Sequence, residues 1–463
     1  MKRRNGLRLM LSVMLLFLSV LPAGSVSAQK LQALGASDAE GMNADPLASA
    51  PWFNIEVDTP GDTGQHTSVA INQVTDTTYV SYYDYTNKTL RLAMNKGFGV
   101  GNCGPNNTWL CQTVDNTYGV GLYSSIAINP VSGEIGIAYY NATNGKLQFA
   151  HAEICPTCTW SIEIIEEPIL FPTDKIGQYA SLEYHSNGTP YIAYYFENTG
   201  NVDALKVASY VGSGGNCGYG SVANKWQCDA ILTGEGVGQF ASLALDGSGN
   251  RHIAFYDGVS GDLWYARSNT PANCGPGNTW LCIPVDSAND VGKYASLYVD
   301  YSNDFHIAYY DATADRLKYA VDVGSGGNCG VLGSAQCDAI DSMPPDLHPL
   351  GVSIAEDLAD YPIIAYQSPG GSLKVARPLL ALDLPGGSGN CGPEIPFSTW
   401  YCRTVDPGNL LVPYRHGDYV SIALHPSGLA TIAYYGFITP TGGNLNVSNQ
   451  QIQVSLPLIL NNH

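Results

Sequence analysis

The stretch Gly292 to Ala320, GKYASLYVDYSNDFHIAYYDATADRLKYA, decides the fold. It reads Gly-x-aromatic-x-Ser-apolar, a turn, Ile-Ala-Tyr-Tyr-Asp, a second turn, then Leu-x-x-Ala. Copies of this plan are anchored at Ser68, Ser125, Ser181, Ser242, Ser296, Ser353 and Ser421. Their successive spacings are 57, 56, 61, 54, 57 and 68 residues. A period so long and so even marks a repeat architecture.

Each copy holds four short strand patterns. In the fifth, Tyr294 to Val299 is a first strand and Phe305 to Tyr310 a second, rich in aromatic and β-branched residues. Leu317 to Val321 is a third, and Gln336 to Asp341 a fourth. Strands this short, separated by Gly, Asn, Asp and Ser turns, specify an all-β fold. Four strands per repeat is the blade of a β-propeller, so seven copies predict a seven-bladed ring. The fourth-strand pattern, a Trp followed by a "VD" ending, appears at residues 108–115, 279–286 and 399–406. A matching segment, Trp52 to Asp58, precedes the first full copy, while the seventh copy stops after three strands. The N-terminal strand is therefore expected to complete blade seven, closing the ring and hiding two sheet edges. An open solenoid would give that complementarity of the two ends no use.

The first 28 residues read as a secretory signal. Lys2, Arg3, Arg4 and Arg8 precede an apolar run from Leu9 to Leu21, too short for a membrane span, and Val26-Ser27-Ala28 offers a cleavage site. Residues 29–51 have no strand period and read as a linker or pro-segment, residues 52–450 as the propeller, and residues 451–463 as an apolar tail. The tail is an extra strand or a surface-attachment signal. Twelve cysteines form six local pairs: Cys103/Cys111, Cys155/Cys158, Cys217/Cys228, Cys274/Cys282, Cys329/Cys337 and Cys391/Cys402. Each lies between the third and fourth strands of blades one to six. In an exported chain such pairs are expected to be disulfides. Zinc would find only two thiolates per pair and no nearby His. Cys155-Pro-Thr-Cys158 has the spacing of a redox motif but occupies the same structural slot as the other pairs.

Cleavage after Ala28 would leave 17 Lys and Arg against 40 Asp and Glu, a net charge of −23. That balance excludes nucleic acid and anionic surfaces as partners. After the signal no apolar run is long enough to span a bilayer. The loops expected over the central channel are acidic. Asp58, Asp115, Asp286 and Asp406 end fourth strands, and Asp84, Asn141, Asp257 and Asp311 end second strands. These carboxylates offer calcium its oxygen ligands, the single cofactor the composition suggests. The competing reading is that they start turns through hydrogen bonds to the backbone.

Departures from the repeat carry more information than the repeat. Where blades two to five have Val120, Ile176, Val237 and Val291, blades six and seven have His348 and His416. Where five blades have Tyr123, Tyr179, Phe240, Tyr294 and Tyr419, blade one has His66. Blade six also reads Ala365-Tyr366-Gln367 in place of the Tyr-Tyr-Asp ending. His66, His348, Arg415, His416 and Asp418 thus form the candidate ligand-binding cluster, with no catalytic role assigned. His185, His252, His306 and His425 are expected on the opposite face as surface residues.

The repeats resemble secreted bacterial propeller repeats grouped with sialidase-like and fucose-lectin-like folds. Gly277-Asn278-Thr279-Trp280 carries half of the Asp-box pattern, with Gly275 at the Asp position. Sialidase chemistry needs three clustered arginines, and only Arg316 and Arg415 fall on the expected ligand face. Other hydrolases need paired carboxylates, and Asp62, Asp290 and Asp418 carry no sign of pairing. The paired tyrosines of the second strands are expected mainly as packing between blades. The reading is an exported, non-catalytic module, secreted or at the cell surface, that binds carbohydrate or protein. A propeller-fold carbohydrate-active hydrolase and a structural surface protein are the alternatives.

Overall fold

The computed structural model describes residues 50–451 except 154–158, 170, 201, 271, 346–350, 380–388, 393–398, 409–414 and 440–441. The expected signal segment, residues 29–49, the Cys155/Cys158 pair, His348 and the apolar tail after Gln451 lie outside the described residues. Among the described residues, twenty-eight strands form seven four-stranded antiparallel sheets. In each sheet the strands stand in chain order, with one exception. The last sheet joins Trp52–Asp58 to the outside of Gly442–Gln450, with Trp52 opposite Gln450 and Ile55 opposite Val447. The seven-bladed ring and its N-terminal closure are thus as expected from the sequence. Blade five spans Val291–Val299, Phe305–Asp311, Arg316–Asp322 and Ala335–Ser342, within a few residues of the pattern reading.

The repeat motif is explained by contacts between blades. The anchor serine of each blade accepts a backbone N–H from the first strand of the next. Ile126 N donates to Ser68 Oγ at 3.1 Å, Leu182 N to Ser125 at 3.0 Å, and Leu243 N to Ser181 at 2.9 Å. Leu297, Ile354 and Ile422 donate to Ser242, Ser296 and Ser353 at 3.0–3.1 Å, and Val69 closes the circle on Ser421 at 3.0 Å. The motif glycine permits close approach. Gly292 has φ +108°, and a Cβ there would lie 2.7 Å from Leu263 Cα of the preceding blade. Next to it the first strand bulges in six blades, as at Lys293/Ser296, whereas Val352–Glu356 of blade six pairs with no described shift of register.

The first tyrosine of each pair also works between blades. Tyr82, Tyr139, Tyr309, Tyr366 and Tyr434 are buried and donate to the carboxylate ending the preceding blade's fourth strand. Those acceptors are Asp58, Asp115, Asp286, Asp341 and Asp406, at 2.5–2.7 Å. Tyr194 donates in the same way to Glu166. A cation on the third strand joins the carboxylate at four junctions: Arg91 with Asp58, Lys206 with Glu166, Lys318 with Asp286 and Lys374 with Asp341. At the junction of blades three and four the three partners change together. Leu232 holds the acid's position, Phe255 the tyrosine's, and Trp264, stacked on Phe255 at 6.3 Å, the cation's. A buried acid left without its partners would cost several kcal/mol, so the exchange is of the whole set.

Five disulfides are described, Cys103–Cys111, Cys217–Cys228, Cys274–Cys282, Cys329–Cys337 and Cys391–Cys402, each across the hairpin of strands three and four. They fit an oxidising, extracellular type of environment. Near the partial Asp-box, Pro276–Asn278 forms a tight turn and Trp280 is buried. No helix among the described residues is long and apolar enough to cross a membrane.

The serine circle makes a direct prediction. Ser242→Ala leaves the Leu297 N–H without its acceptor and should destabilise the protein by about 1–2 kcal/mol. The exposed Ser260→Ala serves as control and should leave the thermal midpoint unchanged. Equal melting of the two variants in a calorimeter would refute a structural role for the circle.

Candidate functional site

The first strands line the channel, and the residue two before each anchor serine projects at its mouth. There His66, Tyr123, Tyr179, Phe240, Tyr294 and Tyr419 follow one another around the axis. All six have φ between +51° and +54°, which the bulge imposes despite the cost for a side chain. Ring centroids of neighbours lie 4.4–4.7 Å apart, and their planes meet at 46–59°. One blade step around a seven-membered ring is a turn of about 51°, so the rings keep one attitude to the axis. At so short a spacing they cannot sit edge to edge and must turn their faces toward one another. Behind each stands the second tyrosine of the pair, for example Tyr140 behind Tyr123 at 6.3 Å and Tyr195 behind Tyr179 at 6.1 Å. The mouth encloses about 190 Å³.

Blade six breaks the circle. Gly351 stands where the other blades have a ring, and Gln367 where they have the backing tyrosine. A Cβ on Gly351 would lie 2.4 Å from Val420 N, so no side chain fits there. Gln367 is fully buried and donates to Asp418 Oδ1 at 2.6 Å and to the His416 carbonyl at 3.3 Å.

The residues singled out by sequence fall into two places. His66 belongs to the channel circle, against Tyr419 at 4.4 Å and Tyr123 at 4.7 Å. Burial, with no acidic partner to offset it, pushes its imidazole down from 6.5 to about 3. Its ring is half-buried at the channel mouth, and His66 is neutral at neutral pH. His416, Arg415 and Asp418 lie at the junction of blades six and seven. His416 Nδ1 pairs with Asp406 at 2.8 Å. It takes the part played elsewhere by the third-strand cation, a position that Asn446 holds in blade seven. Burial alone would raise the Asp406 carboxyl, but bonds from His416, Tyr434 and the Gly408 N–H outweigh it and hold the pKa below the usual value. Arg415 lies 3.8 Å from Asp418 and packs over Phe437. His348 lies outside the described residues.

The expected second-strand acids serve turns. Asp84 accepts from Asn87 N at 2.9 Å, Asp257 from Val259 N at 3.0 Å, and Asp311 from Thr313 and Ala314 N. Among the described residues no three His, Cys, Asp or Glu side chains gather to hold a metal ion. The histidines expected as surface residues need correction. His252 is 0% and His306 8% exposed, bonded to the Tyr265 and Tyr319 hydroxyls at 2.5 Å. These aromatic strands leave room inside for an imidazole that finds a hydroxyl. Asp76, His425 and Thr431 have the connectivity of an orienter, base and nucleophile, at 2.7 and 2.8 Å. Thr431 is fully buried and its hydroxyl is donated to Asn449, so no substrate can reach it.

Over the outer part of this face, between blades three and four, runs a groove of about 630 Å³. Tyr179 and Tyr195 form its wall toward the channel. Gln178, Gln239, Glu197 and Glu235 supply polar groups. Glu197 pairs with Lys175 at 2.7 Å. Asp203 is already occupied by the Tyr195 hydroxyl and by Asn198 and Gly236 N–H groups, at 2.7–2.8 Å. The tyrosines belong to the repeat and are readable from it, but the groove depends on loops from two blades.

His66 yields a test with a definite sign. Its folded pKa lies below the unfolded 6.5, so its contribution is present above that pH and is lost as pH falls toward about 3. Between pH 7 and 4, wild type should lose thermal stability more steeply than His66→Phe. Parallel curves would remove His66 from the pH response.

No family model matches the chain, and no curated protein matches it. Among solved structures, AofleA from Arthrobotrys oligospora is 11% identical, with a TM-score of 0.44 over 74% of this chain and 88% of that one. The fucose-specific lectin from Aleuria aurantia is 13% identical, with a TM-score of 0.43 over 76% and 99%. The polysaccharide lyase Uly1 is 10% identical, with a TM-score of 0.47 over 93% and 94%. These values are too low to transfer a ligand or an activity.

Proposed function

We propose that this protein is an exported recognition module that binds a neutral glycan and does not alter it. The observation that carries the reading is the groove between blades three and four. It combines tyrosine rings, onto which the C–H faces of a sugar can pack, with amides and a carboxylate that can take its hydroxyls. Glu197, Asp203 and Glu235 make the groove acidic, and the expected mature chain carries a net charge of −23. Uronic or sialic acid groups would be repelled there. A binding rather than catalytic role is supported by the state of Asp203, whose oxygens are bonded to a hydroxyl and two backbone N–H groups. A glycosidase needs one carboxyl free to give up a proton and another to attack or to activate water.

The test is a glycan array probed with labelled residues 29–463, carrying neutral, amino and anionic sugars. Neutral glycans should bind. A double variant, Gln178→Ala with Gln239→Ala, should lose about tenfold or more in affinity at an unchanged melting temperature. A blank array, or binding confined to anionic glycans, would sink the proposal. Release of free sugar from a bound glycan would replace it with a hydrolase.

A further inference from the structure

We infer that the face opposite the channel mouth carries, on blades five and six, a docking surface for a basic, apolar segment of a partner protein. It lies where these two blades depart from the repeat. The turn inside the disulfide hairpin reads Pro105-Asn106-Asn107 in blade one and Pro276-Gly277-Asn278 in blade four, but Val331-Leu332-Gly333 in blade five. The middle residue of all three is left-handed, with φ +55°, +66° and +57°. Asn and Gly take that conformation readily, and leucine does not. Leu332 is nonetheless 97% exposed, with Val331 exposed beside it. One residue thus combines an unfavourable backbone with an aliphatic side chain in water, and folding gains from neither. The turn between the first two strands departs in the same sense. Its second residue is Ser186, Gly247 and Pro426 in blades three, four and seven, but Tyr301 in blade five and Leu358 in blade six. Tyr301 is 91% exposed, and Leu358 is exposed too. The first and third strands of a blade run in the same direction, so both kinds of turn lie on one face. Two strand spacings put them about 10 Å apart, and neighbouring blades stack at a similar distance, so one short segment can reach all of these side chains.

The charges around these side chains set the partner's chemistry. Glu356 is pushed up to about 7 by burial and by the charges of Asp360, Asp300 and Asp357. Asp304 is raised by burial, then by Asp300 and Asp322, and Arg267 offsets this only in part. Carboxylates of two neighbouring blades thus repel one another in the turns that present Tyr301 and Leu358. Asp300 meets the buried His306 at 3.4 Å, and Asp357 meets Arg377 at 3.7 Å. Among the described residues no ion pair reaches Asp304, Asp322, Glu356 or Asp360. A cationic side chain from outside would relieve that repulsion, while Tyr301, Leu332 and Leu358 would cover an apolar one. Blades one and two also expose apolar side chains on this face, Val74, Phe98 and Val131. Their acids are already matched, Asp76 with His425 at 2.7 Å and Glu134 with His151 at 2.5 Å. A second copy of this chain would bring the same acids against themselves, and an anionic membrane would be repelled.

Labelled residues 29–463 are titrated with three synthetic heptapeptides: KLKLKLK, which is basic and apolar, KSKSKSK, which is basic only, and ELELELE, which is apolar and acidic. At about 0.15 M salt KLKLKLK should bind about tenfold more tightly than KSKSKSK, ELELELE should not bind, and affinity should fall as salt rises. Leu332→Asn suits the left-handed turn and should melt no lower than wild type, yet bring KLKLKLK down to the level of KSKSKSK. Tyr301→Ser, in a different turn, should weaken KLKLKLK as well. Phe98→Ser, on the same face in blade one, should leave it unchanged. Equal affinity of wild type for KLKLKLK and KSKSKSK, or an equal loss in Phe98→Ser, overturns the proposal, because net charge or general stickiness would then account for binding. Binding to phosphatidylcholine vesicles in place of the peptide, lost in Leu332→Asn, would give the face to a lipid surface. A dimer in sedimentation that Leu332→Asn dissociates would give it to a second copy. Either result replaces the proposal. The glycan groove lies on the opposite face, so neither proposal depends on the other.

Discussion

Seven hydrogen bonds, each from a backbone N–H to the serine hydroxyl of the preceding blade, set the spacing on which everything else in the ring depends. The first strand of a propeller blade is an inner sheet edge, and its outward N–H groups need acceptors. A serine hydroxyl is short enough to reach the next strand without parting the blades. Because every copy uses the same bond at 2.9–3.1 Å, each blade takes the same step around the axis. The 4.4–4.7 Å spacing of the aromatic circle, two residues away along the same strands, is a consequence. Leucine at the third strand and glycine at the bulge follow from the same closeness, since Gly292 leaves less than a methyl's width above Leu263.

Much of this was legible in the sequence because a repeat states each requirement seven times. The period, the four strands, the local cysteine pairs and the N-terminal closing strand are all local patterns copied along the chain. The role of the anchor serine was not legible. Nothing in Gly-x-aromatic-x-Ser reveals that its hydroxyl is spent on a neighbouring blade. The carboxylates at the ends of fourth strands were likewise readable as an acidic ring but not as acceptors for a tyrosine some 25 residues further on, as Asp115 is for Tyr139. The groove between blades three and four lay beyond sequence reading altogether, because its walls come from turns of two successive blades that meet only when the blades pack face to face.

The departures from the repeat were legible as departures, but their meaning depends on whether something compensates them. Leu232, Phe255 and Trp264 replace an acid, a tyrosine and a cation, and they do so together, leaving a packed apolar set. His416 departs from the valine of its column, yet it supplies the partner that Asn446 fails to give Asp406. His66 departs from tyrosine while keeping a flat ring, uncharged, at the same 4.4–4.7 Å from its neighbours. Each of these preserves the energetics of the junction it alters, and each is accounted for by folding alone.

Blade six changes its backbone as well as its side chains. Gly351 lacks the positive φ shared by the other six channel positions, and Val352–Glu356 pairs with Pro362–Gln367 with no described shift of register. A Cβ at Gly351 would lie 2.4 Å from Val420 N, so the missing ring follows from the close approach of this strand to blade seven. Gln367, in the seat of the backing tyrosine, turns its amide to the same neighbour and donates to Asp418 Oδ1 and the His416 carbonyl. Ring and backing tyrosine are thus exchanged together, as acid, tyrosine and cation are between blades three and four. Side chains at a blade junction change in sets because each is packed or bonded against the next, and a single exchange would leave its partner unsatisfied.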